Sequence, residues 1–437
     1  MNLIDPVHDC RLVGVVRAVT GIHDCALIIH GRPGCHSGPL GLQSQTSSQR
    51  YVNVVYSGLR SEEMVTGGEK RLKLAIENVY KVMKPKLIVV ASASAAGIMG
   101  DDVDGVIGEI SSSVKCRIVH ISACGYSGPE WTGYEDALVK IVETVLEEYK
   151  SRQSFEKTKN RISIVGFHPD EPFWRGDLQE LINILKEILN VDISVVLNWC
   201  SIEEISNIVN SDLVVVLGGD GLSVADYLKK NFNIEYIVTP YPIGIKNTID
   251  MIYSISSKLG IDINTKKLEA YEKYVRDIIE DFQTYVEGIY GNVRCVIVGE
   301  SSRAFSLANF LLNELDFDIE YIGIRSRNYV TDSELLKWKN SEILNDRYEL
   351  YKKILEISPE VVYGSTFERD IALRCGCALV RYCYPTLDRV YMSDRTIVGF
   401  RGAITLIEET INEMLNMQEK TELAYLSKMN DTKLLER

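Results

Sequence analysis

Short apolar runs alternate along this chain with stretches in which apolar positions recur every three or four residues. The first run, 26–29, reads as a buried strand broken by the glycine and proline that follow it. Residues 71–83 carry helical periodicity that Pro85 stops, and 86–90 and 116–121 read as further buried strands. An amphipathic helix around 136–142 runs into the polar stretch 151–160, which suits a linker. The pattern then repeats. Strands are expected at 162–166, 193–197, 212–217 and 236–238, with helices at 177–189 and 202–209. Gly218-Gly219-Asp220-Gly221 forms a turn after the 212–217 strand, with Ser223 placed to cap the next helix. A helical stretch from 247 to about 287 leads to a third set: strands at 295–298, 319–323, 361–364 and 379–382, and a helix over 304–315 opened by Ser301 or Ser302. The alternation predicts an α/β protein whose parallel sheets are covered on both faces, in doubly wound units. The expected domains are 1–158, 159–288 and 289–437, the last ending in a charged helical tail after Asn412.

The chemistry gathers near the first strand. His30-Gly31-Arg32-Pro33-Gly34-Cys35 follows it, so Cys35 should stand at a strand's carboxyl end, where open α/β sheets bind ligands. Cys10 lies upstream and can reach one face of a shared metal centre. Soft thiolates on separated turns suit an iron-sulfur cluster better than zinc, whose ligands usually come in closely spaced pairs. The ten cysteines include no CxxC pair, and without a secretion signal they are expected to be reduced thiols. Cys25, Cys116, Cys200 and Cys295 read as structural, and Cys375, Cys377 and Cys383 as core packing at a helix end and a buried strand. All six histidines (His8, His23, His30, His36, His120 and His168) fall in the first 170 residues, around Cys10 and Cys35.

Composition then narrows the function. A net charge of −13 and a pI near 5.2 argue against a nucleic-acid binder. The start of the chain lacks signal-peptide regions and no run reaches the length of a membrane span, so a cytoplasmic protein with no membrane partner is expected. Neither Gly218-Gly219-Asp220-Gly221 nor Gly299-Glu300-Ser301-Ser302 completes a dinucleotide fingerprint, and no phosphate loop occurs. No nucleotide is expected to bind this chain. There is no G-x-S-x-G elbow and no H-E-x-x-H.

Four elements in order resemble the component 1 family of nitrogenase-like oxidoreductases. Cys10-Arg11-Leu12-Val13-Gly14 followed by the His30-to-Cys35 turn is the first, and Gly67-Gly68-Glu69 through to Gly100-Asp101-Asp102 the second. Pro240 with Pro242-Ile243-Gly244-Ile245-Lys246-Asn247-Thr248 is the third, and Pro385-Thr386-Leu387-Asp388-Arg389 leading to Gly399-Phe400-Arg401-Gly402-Ala403 the fourth. The resemblance implies three Rossmann-like domains and an iron-sulfur cluster, 4Fe-4S in type, shared between two subunits. It matches Cys10 and Cys35 to two cluster ligands. The family's third cysteine falls at Ser94, a far poorer ligand than a thiolate, and Cys124 lies one residue out of register with an extra serine ligand of some members. Ser94 or Cys124 completes the set, or two cysteines from each subunit suffice. Backbone amides of Gly31 and Gly34 are expected to hydrogen-bond the cluster. The family's catalytic cofactor anchors correspond here to Val398 and to the Leu217/Gly218 position, which offer no ligand.

The resemblance therefore implies a subunit, most similar to the β type, that relays electrons from a separate ATP-dependent iron-sulfur reductase to a substrate or a catalytic partner. That partner is a homologous component 1 subunit, in a homodimer, a heterodimer or an α2β2 assembly. The alternatives are a non-catalytic scaffold for metallocofactor assembly and a metal-free binding protein.

Overall fold

The computed structural model describes residues 9–46, 53–150, 159–291 and 293–435. Three parallel sheets carry the chain, one in each third of it. The first has the strand order Val54–Tyr56, Cys25–His30, Leu87–Ser92, Arg117–Ser122. The second has Glu235–Thr239, Leu213–Leu217, Arg161–Val165, Asp192–Val196. The third has Ser341–Ile343, Asp318–Ser326, Arg294–Glu300, Val361–Gly364, Ala378–Arg381. Cys25–His30, Leu87–Ser92 and Leu213–Leu217 are buried at every position. Helices cover both faces of such strands, which explains their continuous apolar runs. A two-residue parallel ladder joins Ile22–His23 of the first unit to Cys200–Ser201 of the second.

The fold agrees with the doubly wound expectation, and the differences lie at helix ends. The helical stretch expected from 247 onward is three helices, Ile245–Leu259, Thr265–Asp281 and Gln283–Ile289. Left-handed Gly260 ends the first, and the Asn264 side chain caps the second. Ser223 does not cap Leu222–Phe232. The cap comes from Glu135 of the first unit, whose carboxylate accepts the N–H groups of Gly221 at 2.6 Å and Ser223 at 3.2 Å. The polar linker expected at 151–160 lies mostly outside the described residues. The carboxyl-terminal tail is helical, within the 37-residue Gly399–Leu435 helix, whose Met414 and Met417 still pack on the core. Among the described residues no helix is long and apolar enough to cross a membrane.

Two helices of the first unit set the position of everything near Cys10. Arg11–Thr20 lies against Glu130–Leu146 so closely that a Cβ on Gly14 would stand 1.9 Å from the Glu130 carbonyl oxygen. One on Gly133 would stand 1.9 Å from the Arg11 carbonyl oxygen. Only glycine permits this approach. Gly14→Val is expected to cost about 3 kcal/mol through overpacking against backbone that cannot yield. Gly108→Ala, within the Val103–Ile110 helix and where a Cβ meets nothing within 4 Å, should instead raise stability by about 0.5–1 kcal/mol. Thermal midpoints of the two variants provide the check.

Candidate metal centre

The carboxyl edge of the first sheet brings the candidate ligands together. Cys10 sits in extended conformation at the N-cap of Arg11–Thr20 and forms an isolated antiparallel bridge with Pro129. Cys35 lies in the first turn of Pro33–Gln45, immediately beyond the Cys25–His30 strand. Cys124 follows Arg117–Ser122 and is buried, its Sγ 3.8 Å from the carbonyl oxygens of Ser92 and Ala93. A Cβ on Gly97 would meet that sulfur at 2.2 Å, so Gly97 leaves the space it occupies. Ser94 accepts the Gly125 N–H at 3.0 Å. Gly125 itself stands between Ser94 and Cys10, since its Cβ position is 3.4 Å from Ser94 Oγ and 3.9 Å from Cys10 Sγ. Gly31 is buried against Ala93 and beside Cys35, whereas Gly34 is exposed with open space around it.

Burial pushes the Cys35 thiol up, and the neighbouring Cys10 and Cys124 add to that rise. Burial raises Cys10 as well, while amides of Val13 and Leu12 pull it back. A bound cationic centre reverses this preference, because a coordinated thiol is deprotonated outright. Both cysteines at helix starts also face the positive end of a helix dipole, which favours thiolate. The thiols stand farther apart here than the ligands of one tetrahedral ion do. Four thiolates at about 2.3 Å from one zinc stand about 3.8 Å apart. Among the described residues the only set of three ligand atoms within 4.8 Å of one another is His168, Asp220 and Glu300, so the three thiols spread more widely. Three soft donors on one rim, two of them half-buried, fit a multi-iron cluster.

The histidines do not join them. His30 is buried with Nδ1 2.8 Å from Ser57 Oγ and Nε2 2.9 Å from Asp101. Asp101 also accepts the Gly68 N–H at 3.0 Å, and Asp102 caps Val103–Ile110 through the Gly105 N–H. The His30 turn, the glycine pair and Gly100-Asp101-Asp102 are therefore one hydrogen-bonded support for the Cys35 loop. His120 bonds Ser92 and Asp104, His168 bonds Asp220, His23 packs on Trp199 and His36 on Tyr56. His8 lies outside the described residues.

A second cluster, invisible to the motif reading, fills the junction of the three units. Arg17, 2% exposed, contacts Asp170 at 2.7 Å, Glu130 at 3.0 Å, Glu171 at 3.5 Å and Glu300, and stacks over Tyr384 at 4.2 Å. Arg303 lies within 3.6 Å of Glu171 and 3.9 Å of Asp177, and donates to Tyr241 Oη at 2.6 Å. Tyr134 stacks on His168, and Asn328 bridges Asp220 to the Gly218 carbonyl. The remaining space is a cavity of about 10 Å3, barely one water. Val398 and Leu217, at the positions matched to the family's cofactor anchors, are fully buried. The signal for this cluster was an arginine inside the apolar run 12–19, where a charge survives burial only when paired.

Residues 10–415 match the family described as Nitrogenase component 1 type Oxidoreductase. The class defined by the fold and the thiol rim is thus that of a component 1-type α/β protein, and the chain belongs to that oxidoreductase family. It is similar to the nitrogenase iron-molybdenum cofactor biosynthesis protein NifE of Clostridium pasteurianum, 27% identical over 92% of this chain and 87% of that protein. It is also similar to the nitrogenase vanadium-iron protein beta chain of Trichormus variabilis, 24% identical over 94% of each. Against the nitrogenase molybdenum-iron protein beta chain of Clostridium pasteurianum it is 23% identical over 95% of this chain and 94% of that protein. The solved structure titled "Nitrogenase Cp1 at pH 6.5" superposes with a TM-score of 0.80 at 21% identity, over 96% of this chain and 94% of that one, which shows the shared fold.

Removing Arg17 leaves several buried carboxylates unpaired, so Arg17→Met is expected to cost about 3–5 kcal/mol. The junction also sets a pH dependence of two signs. Burial would raise Glu300, but Arg17 and His168 hold it down to about 2, so its stabilising effect is full above its ordinary value of 4.5 and is lost as pH falls toward 2. Glu135 is pushed up to about 7, chiefly by burial. It favours the folded state below pH 4.5, and that contribution is lost as pH rises through 7. Glu135→Gln should therefore flatten the decline in thermal midpoint between those two pH values relative to the parent protein.

Proposed function

We infer that this chain is the β-type, electron-relaying subunit of a nitrogenase-like reductase, with a 4Fe-4S cluster shared between its thiol rim and a homologous subunit. The convergence of Cys10, Cys35 and Cys124 on one partly exposed rim supports this reading. The group so held takes up and passes on one electron at a time at a potential tuned by burial and hydrogen bonds to sulfur. Cys10 and Cys35 supply thiolates from two helix starts, and Cys124 supplies the third from the loop after the edge strand. Ser94 positions that loop by holding Gly125 rather than by ligating metal. The His30–Asp101–Gly68 bonds keep the Cys35 turn in place. Half-burial of Cys10 and Cys35 leaves one side of the rim for the partner subunit and limits water on the other.

The filled three-unit junction favours a relay over an internal catalytic chamber, because Arg17 and its carboxylates occupy the cleft that a substrate would need. In this reading the electron donor is a separate ATP-dependent iron-sulfur reductase, as the family resemblance implies. A second reading, a scaffold on which a metallocofactor is assembled, draws on the similarity to the NifE protein. Cluster transfer to an apoprotein without reductase-dependent turnover would favour the scaffold.

Iron and acid-labile sulfide content with low-temperature EPR on anaerobically purified protein tests the assignment. About four irons per dimer are expected. Cys10→Ala, Cys35→Ala and Cys124→Ala should each lose most of that iron, whereas Cys377→Ala and Ser94→Ala should retain it. An iron-free parent, or equal loss from Cys377→Ala, overturns the ligand set.

A further inference from the structure

Away from the thiol rim, two glycine turns that matched no nucleotide motif meet. The turn at Gly218 follows the Leu213–Leu217 strand, and the turn at Gly299 leads into the Ser301–Leu315 helix. The fold brings them together closely enough that a Cβ on Gly218 would stand 2.5 Å from Ser302 Cβ. Beyond this contact a cleft of about 760 Å3 opens between the second and third units, a size ordinary for small-molecule sites. It stands at the carboxyl ends of two parallel strands, Leu213–Leu217 and Glu235–Thr239, where open α/β sheets hold ligands. The Asn328 bond to the Gly218 carbonyl separates it from the Arg17 junction.

The polar floor of the cleft carries hydrogen-bond donors without protein partners. Ser301–Leu315 is 15 residues long and no side chain caps its start, so its first N–H groups lack partners within the helix. Ser302, in that first turn, is 4% exposed and its hydroxyl has no hydrogen-bond partner. Thr239, on the opposing strand end, is 2% exposed and its hydroxyl is likewise unpartnered. Two orphaned hydroxyls lining one cleft are costly unless something bonds them. A helix start with free donors favours a negative charge. Lys246 at the exposed rim adds a cation, and Phe305 and Trp338 supply an apolar, aromatic wall.

We propose that this cleft binds a small organic anion, a carboxylate or phosphate head on a planar or apolar body, with the head at Ser302 and the start of the Ser301–Leu315 helix. The body lies along Phe305 and Trp338, and Lys246 closes over the head from the rim. This site is independent of the cluster and of the relay reading.

Isothermal titration of the full chain with phenyl phosphate and with benzoate provides the test, with benzyl alcohol as the uncharged control. Saturable one-to-one binding of at least one anion and none of the alcohol is expected, and the anion that binds identifies the head group. Lys246→Glu changes an exposed side chain and should weaken binding at least about tenfold, and Ser302→Ala about tenfold, from the loss of a hydrogen bond to a charged group. No saturable heat with either anion, equal binding of benzyl alcohol, or an affinity unchanged by Lys246→Glu would overturn the proposal.

Discussion

A guanidinium removed from water must find its charge balanced within hydrogen-bond reach, and Arg17 finds it only where the three sheets come together. Asp170 and Glu171 come from the second unit, Glu300 and Tyr384 from the third, and Glu130 from the helix that packs beside Arg17 in its own unit. Removing any of these elements would leave a buried charge exposed to a low-dielectric interior. The network therefore acts as a geometric lock between units more than as a source of net stability, since desolvation consumes much of what the pairing returns. Arg303 repeats the device between the second and third units, against Glu171, Asp177 and Tyr241.

The same helix that carries Arg17 begins at Cys10, and this ties the lock to the proposed redox site. About two turns of rigid helix separate the thiol from the junction, and Gly14 and Gly133 press that helix onto Glu130–Leu146. Pro129, at the start of the second helix, pairs with Cys10 itself. The thiol rim is thus held by the packing that orients the three units, so its geometry does not depend on loop conformation alone. A rim preorganised in this way suits a centre that must change charge with little rearrangement around it.

Much of this was legible in the residues. The apolar runs located the principal strands because a strand buried on both faces must be apolar throughout. The place of Cys35 just beyond a strand's carboxyl end was legible because the glycine and proline turn breaks the apolar run there. Helix capping was not: Ser223 looked like a cap, but Glu135, remote in sequence, reaches the same amides with its carboxyl group and displaces it. The continuous helix expected from 247 is interrupted at Gly260, where local turn chemistry outweighs periodicity. Histidines crowded near the cysteines in sequence proved to be scattered among separate hydrogen-bonding partners.

By itself the sequence determined the α/β class, the parallel sheets and the family, since these follow from local periodicity and from short motifs whose order along the chain is preserved. The tertiary structure alone decided which groups meet. It placed Cys124 and Ser94 on opposite terms, one a buried sulfur beside the other thiols and one a hydroxyl committed to Gly125. It also gathered Arg17, Asp170 and Glu300 across nearly three hundred positions of chain, and opened a cleft between two glycine turns that looked ordinary apart. Charge pairing and cavity shape depend on distances through space, and no local pattern of residues encodes those distances.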